Sequence, residues 1–100
     1  LANRYGTRII IPGMTLYSIL NEYKIDVVDI VKCDIEGSEM IAITDETLSP
    51  VKDKIKFWFL EVHATNFDID KNRQILGSVF RNQGYSVEFT RQDVLLAHKP

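Results

Sequence analysis

Four side chains with the chemistry to move a proton or hold a ligand fall into two pairs of i, i+2 spacing, Asp34 with Glu36 and Glu61 with His63. Each pair lies at the end of an apolar run rich in β-branched or aromatic residues, "VVDIVKC" (27–33) for the first and "IKFWFLEV" (55–62) for the second. Such runs predict strands. In an extended chain residues two apart point to the same side, and neighbouring strands lie about 4.8 Å apart. The pattern therefore predicts three carboxylates and one imidazole in a single crevice. Like-charge repulsion and desolvation make that arrangement costly, and Ser, Thr or Asn at the strand ends would avoid the cost, so a function is the simpler explanation.

That chemistry divides in two. An imidazole that titrates near neutrality suits removal of a proton from a hydroxyl, with carboxylates to orient it. The same hard donors suit Mg²⁺ or Mn²⁺ in a metal-dependent hydrolase or transferase. Plainer roles stand beside these. Asp34 can cap the helix that starts near Ser38, Glu36 can be a solvated loop carboxylate, Glu61 a buried acid paired elsewhere, and His63 and Asn66 loop residues. Glu39, on a first helical turn, reads most simply as a partner for the helix dipole, which leaves a third class of function, a non-catalytic interaction module whose acids only cap helices. Gly37 allows a sharp turn where a side chain would obstruct a ligand or the next helix.

The elements that must position these residues follow from hydrophobic period. "TRIII" (7–11) reads as a short strand stopped by Pro12 and Gly13, and Leu16, Ile19, Leu20 and Tyr23 mark a one-faced helix with Thr15 as N-cap. The 27–33 strand is apolar enough to be covered on both faces. Ser38 caps a helix over about 39–47, and 55–62 is the strongest strand signal, with Phe57, Trp58, Phe59 and Leu60 unbroken, as expected of a central strand. Asp70 caps a helix whose stripe is Ile75, Leu76, Val79 and Phe80 and whose end is marked by Asn82, Gln83 and Gly84. The strands 85–90 and 94–98 form an antiparallel hairpin across "RQD". The order β-α-β-α-β-α-β-β predicts an α/β fold: a mostly parallel sheet with a C-terminal antiparallel hairpin and helices on both faces.

A chain of 100 residues holds one domain or part of one. Its composition is 45% hydrophobic and 26% charged with a formal net charge of -2, which favours neither nucleic acid nor an anionic membrane surface. The single cysteine, Cys33, cannot form an internal disulfide and suggests a reducing cytoplasm. Neither a bilayer-spanning apolar stretch nor a signal peptide is present in the sequence, although a chain opening on Leu1 can have lost a targeting segment.

"VVDIVKCDIEGSEMIAI" followed by "IKFWFLEVHATNF" resembles the FkbM family of S-adenosylmethionine-dependent methyltransferases, whose pattern is a strand running into K-x-D-x-E-G-x-E, a helix, and a strand ending in E-x-H. The positions here are Lys32, Asp34, Glu36, Gly37 and Glu39, then Glu61 and His63. "TLYSILNEYKID" and "NQGY" extend the likeness over nearly the whole chain, with Tyr17 where the family usually has an acid and Cys33 where an apolar residue is usual. The resemblance implies a partial Rossmann-like fold and methyl transfer to a hydroxyl of a sugar or polyketide-like acceptor. Asp34, Glu36 and His63 would be catalytic, Glu61 and Asn66 would face the acceptor, Asp34 and Ile35 would face the cofactor, and no residue is assigned to a metal. No G-x-G segment occurs, so the sequence reads as the C-terminal half of the domain, from about its third strand. Alone it is expected to be inactive, to bind S-adenosylmethionine weakly or not at all, and to self-associate through an exposed sheet edge.

Overall fold

Thr15 is extended and its side chain accepts a hydrogen bond from the Ser18 N–H, which starts α1 (Leu16–Glu22) as its N-cap. The computed structural model describes residues 13–65 and 68–100; the strand expected at 7–11 and Asn66 lie outside them. Strand β1 is short, Val31–Cys33, and is preceded by a single bridge from Val28 to Ile55. The predicted helix at 39–47 is two pieces, α2 (Glu39–Ala42) and α3 (Asp45–Leu48). Thr44 separates them because its hydroxyl and that of Thr47 form a reciprocal cap that starts a new helix. Ser38 stands at the N-cap position of α2 without a side-chain cap bond.

Strand β2 (Phe57–Glu61) leads to α4 (Ile69–Asn82), then to β3 (Ser86–Arg91) and β4 (Val94–His98). Asp68, not Asp70, caps α4 by accepting from the Lys71 N–H, while Asp70 pairs with Arg73 one turn on. The four-stranded sheet has the order β1-β2-β4-β3, so β2 is interior as its apolar run required. Among the described strands only β1–β2 is a parallel pair. The sheet is therefore mixed and not mostly parallel: β4 returns from a tight turn and inserts between β2 and β3, antiparallel to both.

Alternation along β2 decides where the core sits. Trp58 and Leu60 are buried and face the same side as their partners Ala97 and Leu95. Leu20 of α1, Leu48 of α3 and Leu76 and Phe80 of α4 join this cluster, with Phe80 edge-on to both Trp58 and Tyr85. Phe57, Phe59, Leu96 and His98, on the other side, are only partly buried and outside it. Among the described residues the helices thus cover one face of the sheet rather than two. Among the described residues β1 is an edge, and Val27 and Ile30 beside it are 56% and 59% exposed, which corrects the reading of 27–33 as a strand covered on both faces.

Candidate active site

The β1–β2 ladder fixes the site's first contact. Cys33 pairs with Leu60 as the last step of the parallel register, so Asp34 and Glu61 follow as the next step. Both strands then end, and the i, i+2 argument ends with them, because Glu36 does not continue the pleat. Glu36 and Gly37 both have left-handed backbones, with φ of 54° and 98°, and the Ser38 N–H closes the turn on the Ile35 carbonyl. A left-handed conformation costs a residue with a side chain about 1–2 kcal/mol, so Glu36 is held in a strained position at the pocket. A methyl group on Gly37 would meet Thr65 Cγ2 at an ordinary 3.7 Å. The glycine is therefore required by its backbone angle and not by the close approach of another group.

His63 is where the carboxylates converge. Its Nε2 lies 3.6 Å from Asp34 Oδ1 and 3.7 Å from Glu36 Oε2, while its Nδ1 is hydrogen-bonded to Glu39 Oε1 at 2.8 Å. Glu39 is fully buried and accepts from the His63 N–H at 2.7 Å and the Gly37 N–H at 2.9 Å. Glu39 stands on the first turn of α2, where its own backbone N–H favours the charged form, and α2 also carries the carboxylate inward to the end of β2, a contact not expected from sequence. Asn72, also fully buried, reaches from α4 to donate to the His63 carbonyl at 2.8 Å and to Thr65 Oγ1 at 3.1 Å. The loop after β2 is thus tied from both sides.

These contacts set the electrostatics. Burial pushes Glu39 toward its neutral form, yet its own backbone N–H, the His63 ring and the His63 and Gly37 N–H groups outweigh that and hold it below the ordinary carboxylate range. The hydrogen bond to Glu39 raises His63 above its ordinary value against the opposing effect of burial, and the charges of Glu39, Glu36 and Asp34 add to the rise. Cys33 is half-buried and packs against the core; desolvation raises its thiol, with Glu39 and Asp34 contributing, which disfavours the thiolate.

Of the residues singled out from sequence, Asp34, Glu36, Glu61 and His63 therefore meet, with one donor atom from each of Asp34, Glu61 and His63 lying within 4.8 Å of one another. Ile35 does not join them. It lines a mainly apolar cavity of about 640 Å³ between α1, β1 and α3, together with Met14, Leu16, Val31, Cys33 and Trp58. The two residues missed from sequence, Glu39 and Asn72, carry different signals. Asn72 occupies the stripe of Leu76, Val79 and Phe80, where a polar residue among core positions marks a buried hydrogen-bonding role. Glu39 stands in the K-x-D-x-E-G-x-E pattern, but nothing in that pattern names its partner, which lies 24 residues away.

The described residues fit S-adenosylmethionine only in part. The cavity beside Ile35 offers apolar walls, but no glycine-rich turn or strand-end acid is placed there to hold the amino acid and ribose ends. No described helix is long and apolar enough to cross a membrane. Compared with known proteins, residues 2–87 match a family model described as Methyltransferase FkbM domain. No curated protein and no solved structure matches the chain.

Proposed function

The chain belongs to the FkbM methyltransferase family, and on that premise we propose that it forms the acceptor-side, C-terminal half of an S-adenosylmethionine-dependent enzyme that methylates a hydroxyl of a sugar or polyketide-like acceptor. One observation carries the reading: the buried Glu39 carboxylate holds His63 by Nδ1, which leaves Nε2 directed at the strand-end acids Asp34 and Glu36. A hydroxyl placed in this cleft hydrogen-bonds between Nε2 and the Glu36 carboxylate and loses its proton to that pair as its oxygen becomes nucleophilic. Asp34 and Glu61 border the same cleft and fix the oxygen's direction of approach. The cofactor, when bound, supplies an electrophilic methyl group. Its polar ends are assigned to a preceding half of the domain, which the exposed Val27 and Ile30 at the edge of β1 support.

The test uses the intact enzyme that contains this chain, methyl-labelled S-adenosylmethionine and a panel of hydroxylated glycosides and macrolactones. Label is expected in a base-stable ether, with His63→Asn lowering turnover by about 10²–10⁴-fold and Asp29→Asn, on an 88% exposed side chain outside the cleft, leaving it unchanged. Label on nitrogen or carbon, or full turnover in both His63→Asn and Asp34→Asn, refutes the reading. The 100-residue chain alone is expected not to bind the labelled cofactor; stoichiometric binding overturns the half-domain assignment.

A further inference from the structure

We infer that Asp34, Glu61 and His63 form a binding site for one divalent cation of the Mn²⁺ or Mg²⁺ type. The set is mixed, two carboxylate oxygens and one imidazole nitrogen, which suits these ions when water or a hydroxyl completes the coordination.

Distances favour a shared ion over direct pairing. The 3.6 Å from Nε2 to Asp34 Oδ1 and 3.7 Å to Glu36 Oε2 are too long for hydrogen bonds. Two donors at about 2.1 Å from one octahedral ion stand about 3.0 Å apart when adjacent and about 4.2 Å when opposite. Since the three donor atoms already lie within 4.8 Å of one another, inward movement of under about 1 Å reaches that geometry.

Charge gives a separate reason. Asp34, Glu36, Glu39 and Glu61 gather around one histidine, and among the described residues none of the four is ion-paired with a lysine or arginine. One imidazole, paired with Asp34, Glu36 and Glu39, can balance at most one of the four negative charges, and a divalent cation supplies the remainder.

The third reason lies outside the ligand set. A ligating histidine characteristically gives its other ring nitrogen to a carboxylate, which fixes the tautomer and the ring plane. Glu39 does this at 2.8 Å from Nδ1 while fully buried, so Nε2 presents its lone pair to Asp34. Asn72 anchors the His63 backbone by its carbonyl, which keeps the ring in register with β2.

The ion's part in turnover rests on the proposed hydroxyl methylation, whereas its binding does not. With a cation bound, Nε2 would serve as a ligand in place of its proposed proton-accepting role, Glu36 alone would take the acceptor's proton, and the ion would supply positive charge to the oxygen.

Binding is read first on this chain with Mn²⁺ alone, from loss of the free-ion electron paramagnetic resonance signal. One equivalent is expected to bind, with Asp34→Asn and Glu61→Gln each weakening it and Glu39→Gln, which changes no ligand, weakening it about 10–100-fold. Asp29→Asn is expected to bind as the parent does. Far-UV circular dichroism checks the fold of each variant, and selective broadening of the His63 ring resonances in the unsubstituted chain by Mn²⁺ locates the ion without any substitution. An undiminished free-ion signal, binding unaffected by both ligand substitutions, or broadening away from His63 overturns the site. In the intact enzyme, turnover that survives a chelator while Mn²⁺ fails to bind removes the ion and leaves methyl transfer standing. Stoichiometric Mn²⁺ binding without label transfer to any hydroxyl does the reverse.

Discussion

Replacing Glu39 by Gln is the most informative single perturbation of this chain, because the amide has the shape of the carboxylate but half its acceptors. Glu39 accepts from three N–H groups: the His63 backbone at 2.7 Å, the His63 ring at 2.8 Å and Gly37 at 2.9 Å. Whichever way the amide is turned, its NH₂ faces at least one of these donors. A buried donor left without an acceptor costs about 1–3 kcal/mol, and Glu39 is fully buried, so no water offsets the loss. The bond to a charged imidazole is discounted, since the His63 side chain is 22% exposed; about 1 kcal/mol is assigned to it. The expected total is about 2–4 kcal/mol at pH 6. Because the His63 pKa is raised, its charged contribution is complete below the ordinary value of 6.5 and is lost as pH rises through the folded value. The Glu39 pKa is lowered, so its contribution is complete above the ordinary value of 4.5 and is lost as pH falls through the folded value. Stability is therefore highest between those limits, and the cost of Glu39→Gln should shrink by about 1 kcal/mol as pH rises from 6 through the folded value of His63. Urea denaturation followed by circular dichroism, with chelator present, measures both. A cost under about 0.5 kcal/mol, within the range of an ordinary surface substitution, or one independent of pH, refutes the buried ion pair.

Gly37→Ala should lower stability by about 1–2 kcal/mol through its positive φ alone, since the space around it is sufficient; a neutral result in thermal unfolding would mean that the turn relaxes. Asn72→Ala removes the donor to the His63 carbonyl, and a loss of about 1–3 kcal/mol is expected, accompanied by faster amide exchange at 61–65 than elsewhere in the sheet. Uniform exchange would show that Asn72 supports α4 and not the loop after β2.

How far the sequence discloses this arrangement depends on whether a residue's partners are local. β2, β3 and β4 carry strong β-branched or aromatic signals and lie close to where those signals place them, and α1 starts at Thr15 as its cap predicts. The division at Thr44 follows from a reciprocal threonine cap, which spacing of apolar residues does not reveal. The mixed sheet was half legible: the hairpin was evident from "RQD", but nothing local states that β4 inserts beside β2. For the same reason the alternation of strands and helices suggested helices on both faces of the sheet, although only the Trp58 and Leu60 side receives described helices.

The site divides along the same line. Asp34, Glu36, Glu61 and His63 were legible by type and spacing, but the argument that joined them assumed a pleat that stops before Glu36. They meet for another reason. The left-handed turn at Glu36 and Gly37 brings the chain back toward His63, and Glu39, three residues beyond Glu36, fixes that turn through the Gly37 N–H while the same carboxylate holds both the ring and the backbone of His63. One buried carboxylate thus couples the turn after β1 to the end of β2. A substitution there should disturb Glu36 and His63 together, whereas a change at Glu36 should leave the His63 ring in place. Ring chemical shifts of His63 in Glu36→Gln and Glu39→Gln separate the two cases: a large shift change in the second alone supports the coupling, and equal changes in both argue that the exposed acid, not the buried one, sets the imidazole.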